Sequence, residues 1–347
     1  MQIIIRIIII ASALMPTLSN ATLEEELNWL QAESIVFSAS RTEQQVLDTA
    51  AAVFVLNQQE IKRSGVTSVP EALRLVPGLQ VAKVNANLWA ISSRGFNNVA
   101  ANKLLVMIDG RTVYHPVFSG TLWRTKDVML EDVERIEVIR GSGAAMWGSN
   151  AVNGVINVIT KKAEDTQGVL VTAGGGTEEQ AFTSLRYGGN LNGNIDYRAY
   201  FKYSKHDEMK AISVADGNDD WENFQGGFRI DSELTDKDQV TLQGDIYRGD
   251  SGRFQQTAAP IAPTNVAANI GENFSGGNVL GKWTHSISAT SGYSLQLYFD
   301  QTVDKTSFSS INDAIKTIVR TYDIDFQNHF QLFSWQNVTW GLGVRHI

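Results

Sequence analysis

From residue 168 onward, apolar and polar side chains alternate with period two, and no other feature constrains the fold as strongly. In 195–203 one face carries Ile195, Tyr197, Ala199, Phe201 and Tyr203, and the other Asp196, Arg198, Tyr200 and Lys202. The stretch 293–300 repeats it, with Tyr293, Leu295, Leu297 and Phe299 against Ser294, Gln296, Tyr298 and Asp300. So does 321–330, with Tyr322, Ile324, Phe326 and Phe330 against Thr321, Asp323, Asp325 and His329. Successive strand side chains point to opposite faces, so this pattern predicts strands with one apolar face. Nine candidate strands begin near residues 168, 180, 193, 221, 238, 277, 291, 318 and 336. A soluble sandwich would alternate as well. The connections decide. Short links near 189–192, 234–237, 286–290 and 332–335 take turns with long polar ones at 205–220, 249–276 and 304–317. Only the first outer loop, 174–179, is short. Short inner turns and long outer loops mark an outer-membrane barrel and place the long loops outside the cell.

Composition permits this. Six prolines against 29 glycines suit a strand-rich chain with many turns. A mean hydropathy of −0.14 is compatible with a membrane barrel, whose strands are only half apolar. The chain has no cysteine, so disulfides and thiolate metal sites are excluded. Its formal net charge of −8 argues against a nucleic-acid partner, which would favour a basic face.

Residues 41–163 have a different texture, that of a mixed α/β unit. Residues 53–56 read as a strand, with Asn57 able to cap a short helix that Gly65 ends. Ser68 and Glu71 have capping-box spacing for a second helix, stopped by Pro77 and Gly78. Leu104–Ile108 is a buried strand ending in an Asp109–Gly110 turn. Within 130–162, two Ile/Val-rich strands, 135–140 and Gly154–Thr160, flank a small-residue turn at 141–148. Its glycines suit close backbone approach, and no Gly-Lys-Ser/Thr ends it, which excludes a phosphate loop. Arg135, Glu137 and Arg140 interrupt this apolar segment, and a buried Arg requires a carboxylate partner. The unit is sparse in large apolar residues, so something else should enclose it.

Five sequences in this region, ALRLVPGLQV, SRGF, LLVMIDGR, RIEVIRG and WGSNAVNGVINVITKK, resemble in order the plug domain of TonB-dependent outer-membrane receptors. The resemblance is close over about 33–163 and looser beyond. Two departures are Ser142, where the family has Pro, and Ser93, where it has Ile. The resemblance implies an α+β plug domain followed by antiparallel transmembrane β-barrel strands. A plugged transporter barrel has about 22 strands, so about nine would be an incomplete barrel and the chain a fragment unable to transport alone. The expected organisation is a signal peptide at 1–21, a linker with the TonB box at 22–40, the plug at 41–163 and barrel strands at 164–347. The apolar run at the start is too short for a membrane anchor.

The family's site residues carry over as expectations. Glu33, Ser34, Ile35, Val36, Phe37 and Ser38 resemble the TonB box by position and composition, to be gripped by TonB through strand addition. Trp89, Phe96, Tyr114, His115, Phe118 and Trp123 lie beside SRGF and IDGR, where plug apices form the floor of the substrate cavity. Aromatic rings there suit flat, partly apolar ligands such as metal chelates. Arg94 and Arg140 match arginines that latch plug to barrel carboxylates. The expected function is uptake of a ferric siderophore, with cobalamin or haem as family alternatives and a secreted β-rich adhesin as one from another class. The expected partners are TonB, the chelate and outer-membrane lipid, in the outer membrane of a Gram-negative bacterium. No catalytic constellation exists, since the five histidines are scattered. No cofactor or resident metal is expected. The run Asp216, Gly217, Asn218, Asp219, Asp220 has calcium-loop character but lacks the Glu of loop position 12.

Overall fold

The computed structural model describes residues 35–42, 44–49, 51–141, 143–209, 217–258, 265–288, 290–308 and 313–347. The expected signal peptide, Glu33, Ser34 and Asp216 lie outside them.

The N-terminal unit is a plug built on a five-stranded sheet of order β3-β8-β9-β6-β7. These are β3 Ala52–Asn57, β6 Leu104–Ile108, β7 Arg111–Thr112, β8 Val133–Arg140 and β9 Gly154–Thr160. β9 runs parallel to β6 and antiparallel to β8. Two short strands, β1 Ile35–Val36 and β2 Gln44–Gln45, pair apart from it, as do β4 Leu79–Lys83 and β5 Trp89–Ser93. Helix α1, Gln58–Ser64, starts as its sequence dictates. Asn57 accepts from the Glu60 amide, Glu60 reaches back to the Asn57 amide, and Gly65 ends the helix at φ 72°. The second capping box does not form. At α2, Val69–Ala72, Ser68 makes no side-chain cap, because Glu71 turns instead to the amide and hydroxyl of Thr67. The small-residue turn holds a one-turn helix, α3 Ala144–Trp147. The close backbone approach expected of the turn's glycines is found instead at Gly154 in β9, where a Cβ would lie 2.5 Å from the Ile139 carbonyl oxygen, while Gly141 and Gly143 face side chains and Gly148 open space. Leu56, Leu73, Ile136, Val138, Ile156 and Val158 form the plug core.

The rest is a nine-stranded antiparallel sheet in sequential order, β10 to β18. Its strands are β10 Gly168–Gly174, β11 Glu179–Leu191, β12 Ile195–His206, β13 Trp221–Thr235, β14 Asp238–Ala258, β15 Asn265–Ser288, β16 Ser291–Phe308, β17 Asp313–Phe333 and β18 Gln336–His346. The expected count and order hold, but two of the expected long loops do not. Most of 249–276 and 304–317 is strand, because β14 to β17 continue far past the ~9–11 residues that cross a bilayer. Hydrogen bonding between neighbouring strands keeps polar segments paired, which a composition-based loop assignment overlooks.

The sheet is inverted relative to a soluble sandwich. Its polar face is the covered one: Arg198, Lys202, Ser204, Gln225, Asp323 and Gln327 are buried against the plug side. Its apolar face is open: Val171, Leu185, Phe201, Ile246, Ile324 and Leu342 are all exposed. Polar-inside, apolar-outside alternation is the membrane-barrel arrangement. At the short-turn end, Trp283, Tyr293, Phe326 and Trp340 form an aromatic cluster, with Trp283 edge-on to Tyr293 at 5.3 Å between ring centres. Such rings suit a membrane interface.

Candidate functional site

The plug meets the wall through ion pairs between residues far apart in sequence. Arg111 pairs with Asp300, and Lys126 approaches the same carboxylate at 3.6 Å. Arg124 reaches Glu272 at 3.1 Å. Lys202 on β12 meets Asp127 at 2.5 Å, and Asp132 is held by Arg186 and by Arg198 at 3.4 Å. The Asp109 carboxylate at the expected turn accepts from Thr160 and from Gln243 on β14. Within the plug, burial pushes the Glu134 carboxyl up against the pull of neighbouring Arg135. Burial likewise lowers Lys161, whose Nζ donates to the Glu131 carbonyl.

At the short-turn end the segment beginning at Ile35 is docked on the plug. Ile35 and Val36 pair with Gln45 and Gln44, and Val36 is fully buried. The fully buried Glu137 carboxylate accepts from the Phe37 amide at 3.1 Å and the Ser38 amide at 2.7 Å. Arg135 donates to the same carboxylate at 2.8 Å, so this ionic contact lies within β8 itself and not with a residue packed around it. Trp147 Nε1 donates to the Ser38 carbonyl at 2.7 Å, and Asn157 donates to the Ser38 hydroxyl. Arg41 then reaches the wall, bonding both oxygens of Asp325 and giving its carbonyl to Gln327. A cavity of about 470 Å³ adjoins the segment between plug and wall, lined by Phe37, Arg41, Arg229 and Lys282 among others. Sequence reading singled out the segment but missed Glu137 as its anchor. A carboxylate in an Ile/Val strand was the available signal.

The expected substrate residues divide. Trp89 and Trp123 belong to the buried plug core, Trp89 lying under the Arg74 guanidinium and Lys83 ammonium. Their rings are therefore covered and do not present a free apical face. His115 is also buried, its Nε2 3.4 Å from Asp304 and its Nδ1 accepting from the Phe118 amide. Tyr114 and Phe118 are half-buried, and Phe96 is 80% exposed with Lys103 over its ring. Arg94, Gly95 and Phe96 all have positive φ, of 59°, 90° and 57°. A left-handed backbone at two non-glycine residues stores strain, which concentrates at functional loops.

Arg94 and Arg140 come together, but through plug carbonyls. Arg94 donates to the Arg140 carbonyl at 3.3 Å and Arg140 to that of Pro77 at 3.1 Å. Neither meets a carboxylate among the described residues. Asp219 is a strut: it accepts from the Ala86 and Met209 amides and ties a plug loop to an outer loop. Among the described residues no cluster of three His, Cys, Asp or Glu could hold a metal.

Comparison with known proteins supports the same architecture. Residues 45–155 match the TonB-dependent receptor plug domain. The vitamin B12 transporter BtuB of Photobacterium profundum is 27% identical over 311 residues, which cover 86% of this chain and 47% of the relative. That of Vibrio vulnificus is 34% identical over 150 residues, covering 43% and 24%. The ferric yersiniabactin uptake receptor FyuA from Yersinia pestis superposes with TM-score 0.65 at 14% identity, over 85% of this chain and 48% of that one. The hemophore receptor HasR of Serratia marcescens superposes with TM-score 0.68 at 16% identity, over 86% and 45%. The chain thus spans about half the length of the Photobacterium transporter, FyuA and HasR. Residues 45–155 thus carry the plug domain of TonB-dependent receptors, set inside a wall whose fold matches that of such receptors.

Proposed function

We propose that the chain serves the active import of a scarce, bulky metal chelate across the outer membrane of a Gram-negative bacterium, driven by TonB from the inner membrane. The observation that carries this reading is the docked segment. It is a β-capable stretch held at the short-turn end of a plug that fills the lumen side of a membrane wall. Only two residue pairs tie β1 to β2, so a stronger partner strand can replace β2 by main-chain addition. The neighbouring cavity gives the segment room to leave. Substrate would settle on Phe96, Tyr114 and Phe118 at the opposite side, with His115, Trp89 and Trp123 supporting them. Glu33 and Ser34 complete the TonB-gripped stretch. Arg94 and Arg140 would latch the plug against wall carboxylates.

Two chelates fit this reading, a ferric siderophore and cobalamin, and relatives named for each support both. The test uses the full-length receptor in a host lacking its own receptors. Growth on limiting cobalamin and on a panel of ferric siderophores is compared with and without TonB. Rescue by one chelate, lost with TonB, is the expected result. Equal growth with and without TonB would overturn the proposal.

A further inference from the structure

Plug residues 111–126 are fastened to one wall strand, β16, at two points of unequal strength. The strand presents Asp300 and Asp304 to the plug, about 13 Å apart along its length. Asp300 meets two full cations, Arg111 and Lys126, and Lys126 also donates to Thr302 at 3.4 Å. Asp304 is held more loosely. His115 Nε2 stops 3.4 Å from it and Arg124 stops 3.9 Å away. Neither of its buried oxygens makes a hydrogen bond among the described residues. A ring shift of about 0.4 Å would bring His115 to ordinary hydrogen-bond length, so this contact sits at a threshold.

His115 is attached at its other side as well. Its Nδ1 accepts from the Phe118 amide at 3.1 Å. Its backbone closes the same turn, donating to the Gly120 carbonyl and accepting from the Ser119 amide, both at 2.8 Å. In a neutral imidazole one nitrogen accepts and the other donates, so the proton lies on Nε2, facing Asp304. His115 and Gly120 are both buried, and Gly120 packs close to the backbone of Val99, Ala100 and Ala101. Between these two posts only the crown 116–119 is open, with Val117 69% exposed. A rigid ring bound at both ends carries a displacement of the crown to β16. Arg124 offers no such route, because its guanidinium bears on Glu272 at 3.1 Å and makes no bond to the turn.

We propose that His115 is a positioning residue whose two ring nitrogens tie the crown 116–119 to Asp304, so that the wall orders the turn and registers what presses on it. The assignment deepens the import reading, and rests on it only for what touches the crown. Linkage makes the tie reciprocal: whatever Asp304 contributes to ordering the turn, an ordered turn returns to the seat on β16.

The test is hydrogen exchange of the full-length receptor in detergent, without substrate. Asp304→Asn replaces the charged acceptor by a neutral one of the same shape. It should accelerate exchange of the amides of Phe118, Ser119 and Gly120 about fivefold. His115→Asn keeps an acceptor for the Phe118 amide, as asparagine does in turns, but its side chain is too short to reach β16. In the His115→Asn background, Asp304→Asn should therefore change the exchange by less than about twofold. Glu272→Gln loosens Arg124 alone and should leave the turn as it is in the wild type. Protection of β6 verifies that each variant is folded. No acceleration in Asp304→Asn, the same acceleration in the His115→Asn background, or equal acceleration by Glu272→Gln would overturn the proposal. Since no substrate is present, failure here leaves the import reading standing, and a failed growth test leaves the tie standing.

Discussion

Glu137→Gln changes one atom at the anchor of the docked segment. The carboxylate accepts from the Phe37 and Ser38 amides in a fully buried site. A hydrogen bond to a charged acceptor contributes about 1.5–3 kcal/mol, and one to a neutral acceptor about 0.5–1.5. Glutamine keeps the shape but loses the charge, and its amide nitrogen cannot accept. Two weakened bonds, at about 1 kcal/mol each, shift the docking equilibrium by about 2 kcal/mol, or roughly thirtyfold. The Arg135 bond does not enter, because it joins two residues of β8 and remains in both states. Hydrogen exchange of the 35–42 backbone reads the shift directly, since undocking frees both amides. Exchange should accelerate by about thirtyfold there while β6 stays protected. Trp147→Phe removes only the donor to the Ser38 carbonyl and should accelerate it about fivefold, for about 1 kcal/mol. Exchange within twofold of wild type in Glu137→Gln, with β6 intact, would refute the carboxylate as the anchor.

Other outcomes follow from the same contacts. Asp325→Asn breaks the Arg41 pair, which is partly open to solvent, so the segment should loosen by no more than about 1 kcal/mol in the same exchange measurement. Asp300→Ala strips both Arg111 and Lys126 of their carboxylate, and the plug should lose about 3–5 kcal/mol of seating, read as faster proteolysis in the full receptor; unchanged proteolysis would count against the pair as a plug tie. Val36→Pro removes a ladder donor and should abolish uptake while substrate binding persists; normal uptake would end the TonB-box assignment. Arg140→Ala should loosen the plug and admit large antibiotics, and an unaltered exclusion barrier would dismiss the latch.

How much could be read in advance depends on how local each feature is. The capping box of α1 spans four residues and was legible, as were the Leu104–Ile108 strand and its Asp109–Gly110 turn. The substrate residues were less so. Trp89 and Trp123 carry the same ring chemistry as exposed Phe96, and only packing separates a supporting ring from a contacting one.

Period-two alternation is a property of neighbours along the chain, so the sequence by itself determined nine strands, their order and which side chains share a face. Alternation alone could not say which face is covered, because a sandwich and a barrel alternate alike; only the connection lengths pointed to the barrel. The tertiary structure decided that when the plug took the polar face. Only that placement brings Arg111 to Asp300 and Lys202 to Asp127. The anchor shows the same limit most sharply. Glu137 lies 100 residues from Phe37, and β-sheet pairing over such distances is chosen by the whole core rather than by either segment. The carboxylate in an apolar strand announced that a partner existed. Folding alone supplied its two amides, those of the turn that follows β1.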